Sequence, residues 1–332
     1  MSGLPRGLAK FIIIMLVVGA SAIGCVTVKV SLWEEAAPLE EKVISGQGRD
    51  KILLLDISGM LLEQSPTRWL GLGGPVSLPS RIKEELKKAS EDKRVKAVVL
   101  RVHSPGGTVN AADLIYHELV RFKKDRQVRI IAWVMGLAAS GGYYVAQAAD
   151  TIIAQPTSII GSIGVVALKF NVKELMDKIG VDTEVVKAGR LKDLWSPFRP
   201  ASPEEALLMQ GIIDDFYHRF VDVVAENRQL SRAQVLKCAD GRIFTASQAL
   251  AHRLLDSIGY LDEALELAKD QAGLKEATVV RYHRPETYVN NIYSLMPGGP
   301  PSFGSMPGQP EAQGAAPLPE FFYLWSLAPG AS

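Results

Sequence analysis

A chain of 332 residues with 37 Lys and Arg against 36 Asp and Glu can bury a large core, and its balanced charge gives no reason to propose a nucleic-acid partner. Two cysteines, Cys25 and Cys238, cannot build a disulfide framework. The five histidines are scattered, and C-x-x-C, H-E-x-x-H and G-x-x-x-x-G-K-[ST] are all absent, so no motif calls for a metal, nucleotide or other cofactor.

Arg6 and Lys10 precede an uncharged apolar run of 18 residues, Phe11 to Val28. As a helix this run spans about 27 Å, close to the roughly 30 Å core of a bilayer. The positive charge ahead of it predicts a single-pass anchor with residues 1 to 10 in the cytoplasm and the remainder outside the cytoplasmic membrane. Cleavage as a secretory signal and lipid attachment at Cys25 are the alternatives.

Residues 29 to 50 read as a polar linker, residues 51 to 285 as the folded domain, and residues 286 to 332 as a Pro- and Gly-rich tail with one apolar patch, Phe321 to Leu327. Within the domain, Lys51 to Ser58 is a predicted buried strand and Pro66 to Pro79 a loop. Ser80 is placed to cap the next helix. Val95 to Val102 is a β-branched strand ending in the glycine loop Ser104 to Gly107, and a helix follows from about Asn110 to Phe122. Residues 129 to 134 form a strand leading into MGLAASGGYYVAQAAD, whose second half, from Tyr143 to Ala149, is helical. Short strands follow at Thr151 to Ala154 and within Ile159 to Val166, then a helix at Val172 to Ile179 and a strand at Thr183 to Lys187. A loop with two prolines, Ala188 to Pro200, leads to a long helix from Pro203 to Asn227. Helices broken by Gly241 and Gly259 occupy Ser231 to Gly273. Alternation of strands and helices predicts an α/β fold with a parallel sheet core and flanking helices.

Two glycine loops, Ser104 to Gly107 and Ser140 to Gly142, each follow a strand and precede a helix. In such a sheet they meet at the carboxyl ends of the strands, where ligands bind. Ser140 is a candidate nucleophile, and the backbone N–H groups of Gly107 and Gly141 are candidate oxyanion donors. A capping serine and ordinary tight turns would explain the same residues one at a time. A serine nucleophile also needs a base. His103 adjoins the first glycine loop. Lys192 lies among Leu191, Leu194, Trp195 and Phe198, and burial there would favour its neutral form. Lowering a lysine from about 10.4 by roughly 3 units takes about 4 kcal/mol. The bland alternative is a surface lysine whose stem covers the aromatics.

Four blocks carry a resemblance: VVLRVHSPGG at 98 to 107, AASGGYYVAQAADTIIAQPTSIIGSIGV at 138 to 165, AGRLKDLWSPFRPASPEE at 188 to 205 and ADGRIFTASQA at 239 to 249. In order and spacing they resemble the short form of the bacterial signal peptide peptidase A family, of the Clp protease and crotonase-like fold class. That resemblance implies a Ser-Lys dyad with Ser140 as nucleophile and Lys192 as general base. It implies Ser162 as the hydroxyl that orients the lysine, and Gly107 and Gly141 as the oxyanion site. His103 stands where the family more usually carries Asn or Asp. The resemblance further implies peptide substrates, remnant signal peptides and misfolded exported chains among them, and a homo-oligomeric ring in which neighbouring protomers could complete the dyad. A crotonase-like acyl-CoA-binding protein and a catalytically silent membrane scaffold are the rival readings.

Overall fold

A computed structural model describes residues 38–63, 76–284 and 321–324. The apolar run Phe11 to Val28 and most of the tail lie outside them. Among the described residues no helix is long and apolar enough to cross a membrane.

The main sheet runs β1-β10-β2-β3-β4-β5-β9. Its strands are β1 (Glu40–Gly46), β2 (Lys51–Leu61), β3 (Val95–Thr108), β4 (Arg129–Ala139), β5 (Thr151–Ala154), β9 (Ser257–Ile258) and β10 (Thr278–His283). From β10 to β9 the pairing is parallel throughout. Near the carboxyl ends, β6 (Ile159–Gly161) joins β4 in parallel, and β8 (Ile243–Thr245) pairs β6 antiparallel. β7 (Val166–Ala167) and β11 (Phe321–Leu324) pair antiparallel, and β11 also lies antiparallel on β3.

The sheet is therefore mixed rather than purely parallel. β1 pairs antiparallel with β10 and occupies residues read from sequence as linker. The strand predicted at Thr183 to Lys187 does not form. Its valines stay exposed, 55% at Val185 and 95% at Val186, and no strand of the described chain satisfies its backbone.

Burial is nearly continuous along the central strands, as a sheet covered on both faces requires, and alternate residues point to opposite faces. Leu53, Leu55, Ile57, Val98, Leu100 and Val102 pack against α1 (Leu78–Glu91), α2 (Val109–Arg126), α3 (Gly141–Ala146) and α5 (Pro203–Arg228). Ile52, Leu54, Ala97, Val99, Ile131 and Trp133 pack against α8 (Leu261–Gln271). α1 starts earlier than expected, with Ser77 at its N-cap rather than Ser80 and Pro79 in the first turn, where a missing N–H costs nothing. The shorter helices are α4 (Lys173–Ile179), α6 (Arg232–Leu236) and α7 (Ala246–Ala251). In the middle of the sheet Asp56 accepts hydrogen bonds from Arg101 and Arg281, with all three side chains buried.

Candidate active site

The segment HSPGG, expected to be a loop, continues β3 in extended form to Thr108, whose hydroxyl then caps α2 by accepting from Ala111 N at 3.2 Å. Pairing explains the persistence: Met60 and Leu61 of β2 lie beside Gly106 and Gly107. A Cβ at Gly107 would sit 2.0 Å from the Leu61 carbonyl oxygen, so only glycine lets the two strands run this close. Gly142 is needed for the same kind of reason, since a Cβ there would lie 2.6 Å from the Ser104 carbonyl oxygen. Ser104 Oγ donates to Gly59 O at 2.6 Å and accepts from Gly106 N at 3.1 Å, which fixes the turn of the strand. The two glycine segments thus pack directly on each other at the carboxyl ends of β3 and β4.

Ser140 stands between β4 and α3 with φ 53° and ψ −119°, and its hydroxyl makes no capping hydrogen bond. A left-handed backbone at a non-glycine residue costs about 1–3 kcal/mol and persists only where the surroundings impose it. Here Ser140 N donates to Gly161 O at 2.7 Å, and Ser140 O accepts from Tyr144 N at 2.9 Å. This sharp strand-to-helix turn sets Ser140 at the end of the sheet, where it is buried. Gly141 is the first helical residue, and its N–H has no intrahelical acceptor. Tyr143 Oη donates to Leu254 O at 2.7 Å and Tyr144 Oη to Asp113 Oδ1 at 2.6 Å, so α3 is tied on two sides.

Ser162 follows Gly161 immediately. It too has a left-handed backbone, φ 50°, is buried, and donates from its N–H to Arg242 O at 2.8 Å. Ser140, Gly141, Gly107 and Ser162 therefore belong to one corner of the molecule. His103, the alternative base, has its Nδ1 engaged by the Met135 carbonyl.

Lys192 departs from expectation. It lies in the turn between Arg190 and Trp195 and is exposed, not buried among the aromatics. The lysine that covers the Trp195 ring is Lys169, its Nζ 5.6 Å from the ring centroid and 3.1 Å from Arg199 O. Burial first, and then the charge of Arg199, lower the Lys169 pKa. Sequence offered no signal for this contact, which joins residues on opposite sides of α4.

Ion pairs stiffen the Lys192 loop. Arg199 Nε donates to Asp193 Oδ2 at 2.9 Å and its Nη1 to Glu205 Oε2 at 2.9 Å. Lys187 also pairs with Asp193, and Arg190 with Glu204. Hydrogen bonds from Arg199 hold Glu205 down to about 2. Those from Arg199 and Lys187 hold Asp193 well below the usual carboxylate range. Glu205 closes a capping box with Ser202 at the start of α5. Among the described residues no group of three His, Cys, Asp or Glu side chains is placed to hold a metal ion.

Large apolar side chains are exposed on the segments that flank this loop in the chain, among them Phe170 at 71%, Ile179 at 66% and Leu207 at 74%, and α4 buries none of its residues. On the other side of the corner, β11 lies along β3 with Tyr323 opposite Gly107 and Leu324 opposite Gly106. An extended segment is thus seated on the strand that carries the candidate oxyanion glycine.

Comparison with known proteins gives a consistent picture. The family model described as peptidase family S49 matches residues 122–275, and the one described as Clp protease matches residues 60–160. An Enterococcus faecium protein carrying the name signal peptide peptidase SppA is 36% identical over 255 residues, covering 75% of this chain and 71% of its own. Chloroplastic serine protease SPPA of Arabidopsis thaliana is 33% identical over 257 residues, 74% of this chain and 36% of its own. Protease 4 of Haemophilus influenzae is 33% identical over 248 residues, 74% of this chain and 39% of its own. The chain thus spans little more than a third of the last two relatives. Among solved structures, a ClpP1 mutant from Listeria monocytogenes matches 64% of this chain and 94% of its own at 16% identity, with a TM-score of 0.42.

Proposed function

The chain belongs to peptidase family S49 and is a serine peptidase, and we propose that it cleaves remnant signal peptides and misfolded exported polypeptides with a Ser140–Lys192 dyad. The observation that carries this reading is the left-handed Ser140 at a strand-to-helix turn, beside a β3 edge already occupied by an extended segment. An extended substrate laid antiparallel on Gly106 to Thr108, as β11 is, presents its carbonyl to Ser140 and alternate side chains to the flanking surfaces.

Lys192 in its neutral form takes the Ser140 proton as the oxygen attacks, and the N–H groups of Gly107 and Gly141 hold the oxyanion. Protonated Lys192 then gives its proton to the leaving amine. A water activated by the same lysine releases the acyl-enzyme. Ser162 orients the amine by accepting one of its hydrogen bonds. This chemistry requires no cofactor.

The exposed position of Lys192 fits a homo-oligomer in which one copy supplies the serine and its neighbour the lysine. A second copy seated on Phe170, Ile179 and Leu207 would bury apolar surface and strip water from the amine, the condition that favours a neutral lysine. A ring of such copies, anchored through Phe11 to Val28 with the peptidase outside the cytoplasmic membrane, would meet signal-peptide remnants where they are left.

Ser140→Ala and Lys192→Ala are each expected to lose cleavage of an unfolded apolar peptide. Mixing the two inactive variants and letting them reassemble should restore roughly a quarter of wild-type activity, because half the serines would meet half the lysines. Activity retained by either variant alone refutes the dyad. Inactivity of the reassembled mixture refutes sharing between copies.

A further inference from the structure

We propose that His103 and Ser158 are positioning residues that set where the nucleophile stands, by clamping a bulge in β4 four to five residues before Ser140. The proposal rests on Ser140 being the nucleophile. β4 pairs with β5 as far as Val134 and with β6 only from Leu137, so Met135 and Gly136 belong to neither ladder. Against β3, Val134 lies opposite Val102 but Ala138 lies opposite Ser104. Two steps along β3 thus face four along β4, a bulge of two extra residues.

The polar backbone groups of a bulge have no ladder partner, and here side chains supply them. Ser158 Oγ, 1% exposed, donates to Val134 O at 2.9 Å and accepts from Gly136 N at 3.1 Å. Gln155 N adds a bond to Val134 O at 3.2 Å. His103 Nδ1 meets the Met135 carbonyl, an acceptor only, so that nitrogen carries the hydrogen. Gly136 has φ +94°, a conformation that favours glycine, and a Cβ there would lie 3.2 Å from His103 Nδ1 and crowd the imidazole.

Loss of the bulge would restore plain pairing and carry Ser140 along β4 by two residues, about 6.6 Å at about 3.3 Å each. Partial loosening is enough to matter, since a 1 Å displacement of a reacting group costs about 10²-fold in rate. His103 therefore acts through the backbone it holds.

The full chain tests this with His103→Ala and Ser158→Ala, measured for cleavage of an unfolded apolar peptide and for labelling by a serine-reactive phosphonate probe. Each variant is expected to lower kcat about 10²-fold with KM within about two-fold, and to slow labelling in step. His103→Asn, which restores a donor toward Met135 O, is expected to regain at least about ten-fold of the loss. Should His103→Ala fail to fold, Ser158→Ala carries the same test by removing one buried oxygen. Unchanged kcat and labelling in both alanine variants, a loss confined to KM, or no rescue by asparagine overturns the clamp. Cleavage retained by Ser140→Ala overturns the nucleophile assignment and the clamp with it, whereas wild-type labelling with unaffected His103 and Ser158 variants overturns the clamp alone.

Discussion

Gly107→Ala is the sharpest perturbation of the candidate oxyanion site, because the structure sets its size. The new methyl carbon would stand 2.0 Å from Leu61 O, 2.5 Å from Leu61 N and 2.6 Å from Leu61 C, all backbone atoms that cannot rotate aside. Bringing the nearest contact to even 3.0 Å requires β2 and β3 to separate by about 1 Å. Overpacking of that kind costs about 1–3 kcal/mol, or roughly 2–12 °C in melting midpoint for a chain of this size. The same 1 Å moves the Gly107 N–H away from the developing oxyanion, so kcat should fall by about 10²-fold. Scanning calorimetry and steady-state cleavage of an unfolded peptide measure the two effects side by side. Gly211→Ala is the control: that glycine lies within α5 with nothing within 4 Å of a Cβ, so alanine should gain up to about 1 kcal/mol and leave kcat unchanged. Wild-type kcat in a folded Gly107→Ala chain would refute the close-packing argument and the donor role together.

Three further outcomes follow from the same geometry. Asp56→Ala leaves Arg101 and Arg281 buried without their shared carboxylate, and should cost about 3–5 kcal/mol in urea unfolding; a shift under about 1 kcal/mol would refute the view that the carboxylate holds the centre of the sheet. Glu205 is depressed from 4.5 to about 2 by Arg199, so its contribution is complete above pH 4.5 and is lost as pH falls from there toward 2. Tryptophan fluorescence of the folded chain should record a step in that window as the loop around Trp195 loosens, and Arg199→Met should abolish it; an identical titration in both proteins would refute the assignment. Deleting residues 321 to 332 removes the strand paired to Gly106, Gly107 and Thr108, and serine-probe labelling should become faster; unchanged labelling would mean that β11 does not obstruct the substrate edge.

Legibility from sequence followed the reach of each interaction. β-branched runs such as Val95 to Val102 and the amphipathic stretch from Pro203 state their own structure through local pattern, and their elements form where expected. Ser140 was legible as a strand-to-helix turn, but its left-handed backbone was not, because Gly161 O, which holds Ser140 N, lies outside the motif. The HSPGG segment reads as a loop by composition, yet extends as strand because Met60 and Leu61 run alongside. Antiparallel β1 was hidden in a polar stretch because its partner, β10, lies more than 230 residues further on. Clamping of the β4 bulge by His103 and Ser158 was equally invisible, since each reaches a backbone group that sequence does not mark.

The two places where sequence and fold diverge most belong to one stretch of chain. Residues 183 to 187 have strand composition but no strand, and Lys192 has an apolar neighbourhood in sequence but an exposed position in space. Both failures have the same physical form, a group that lacks the partner its chemistry calls for. A strand needs an edge to pair with, and a neutral lysine needs to be kept from water. Exposed Phe170, Ile179, Val186 and Leu207 repeat the demand in apolar terms. The ion pairs of Arg199 with Asp193 and Glu205 meanwhile hold the loop in a defined shape, which is what a surface built to be covered requires and a merely frayed loop does not. If the dyad is shared as proposed, one occupant, a second copy of the chain supplying its Ser140 corner, would answer all three demands at once, and the order of events would be assembly first, then a lysine fit to act as base, then catalysis.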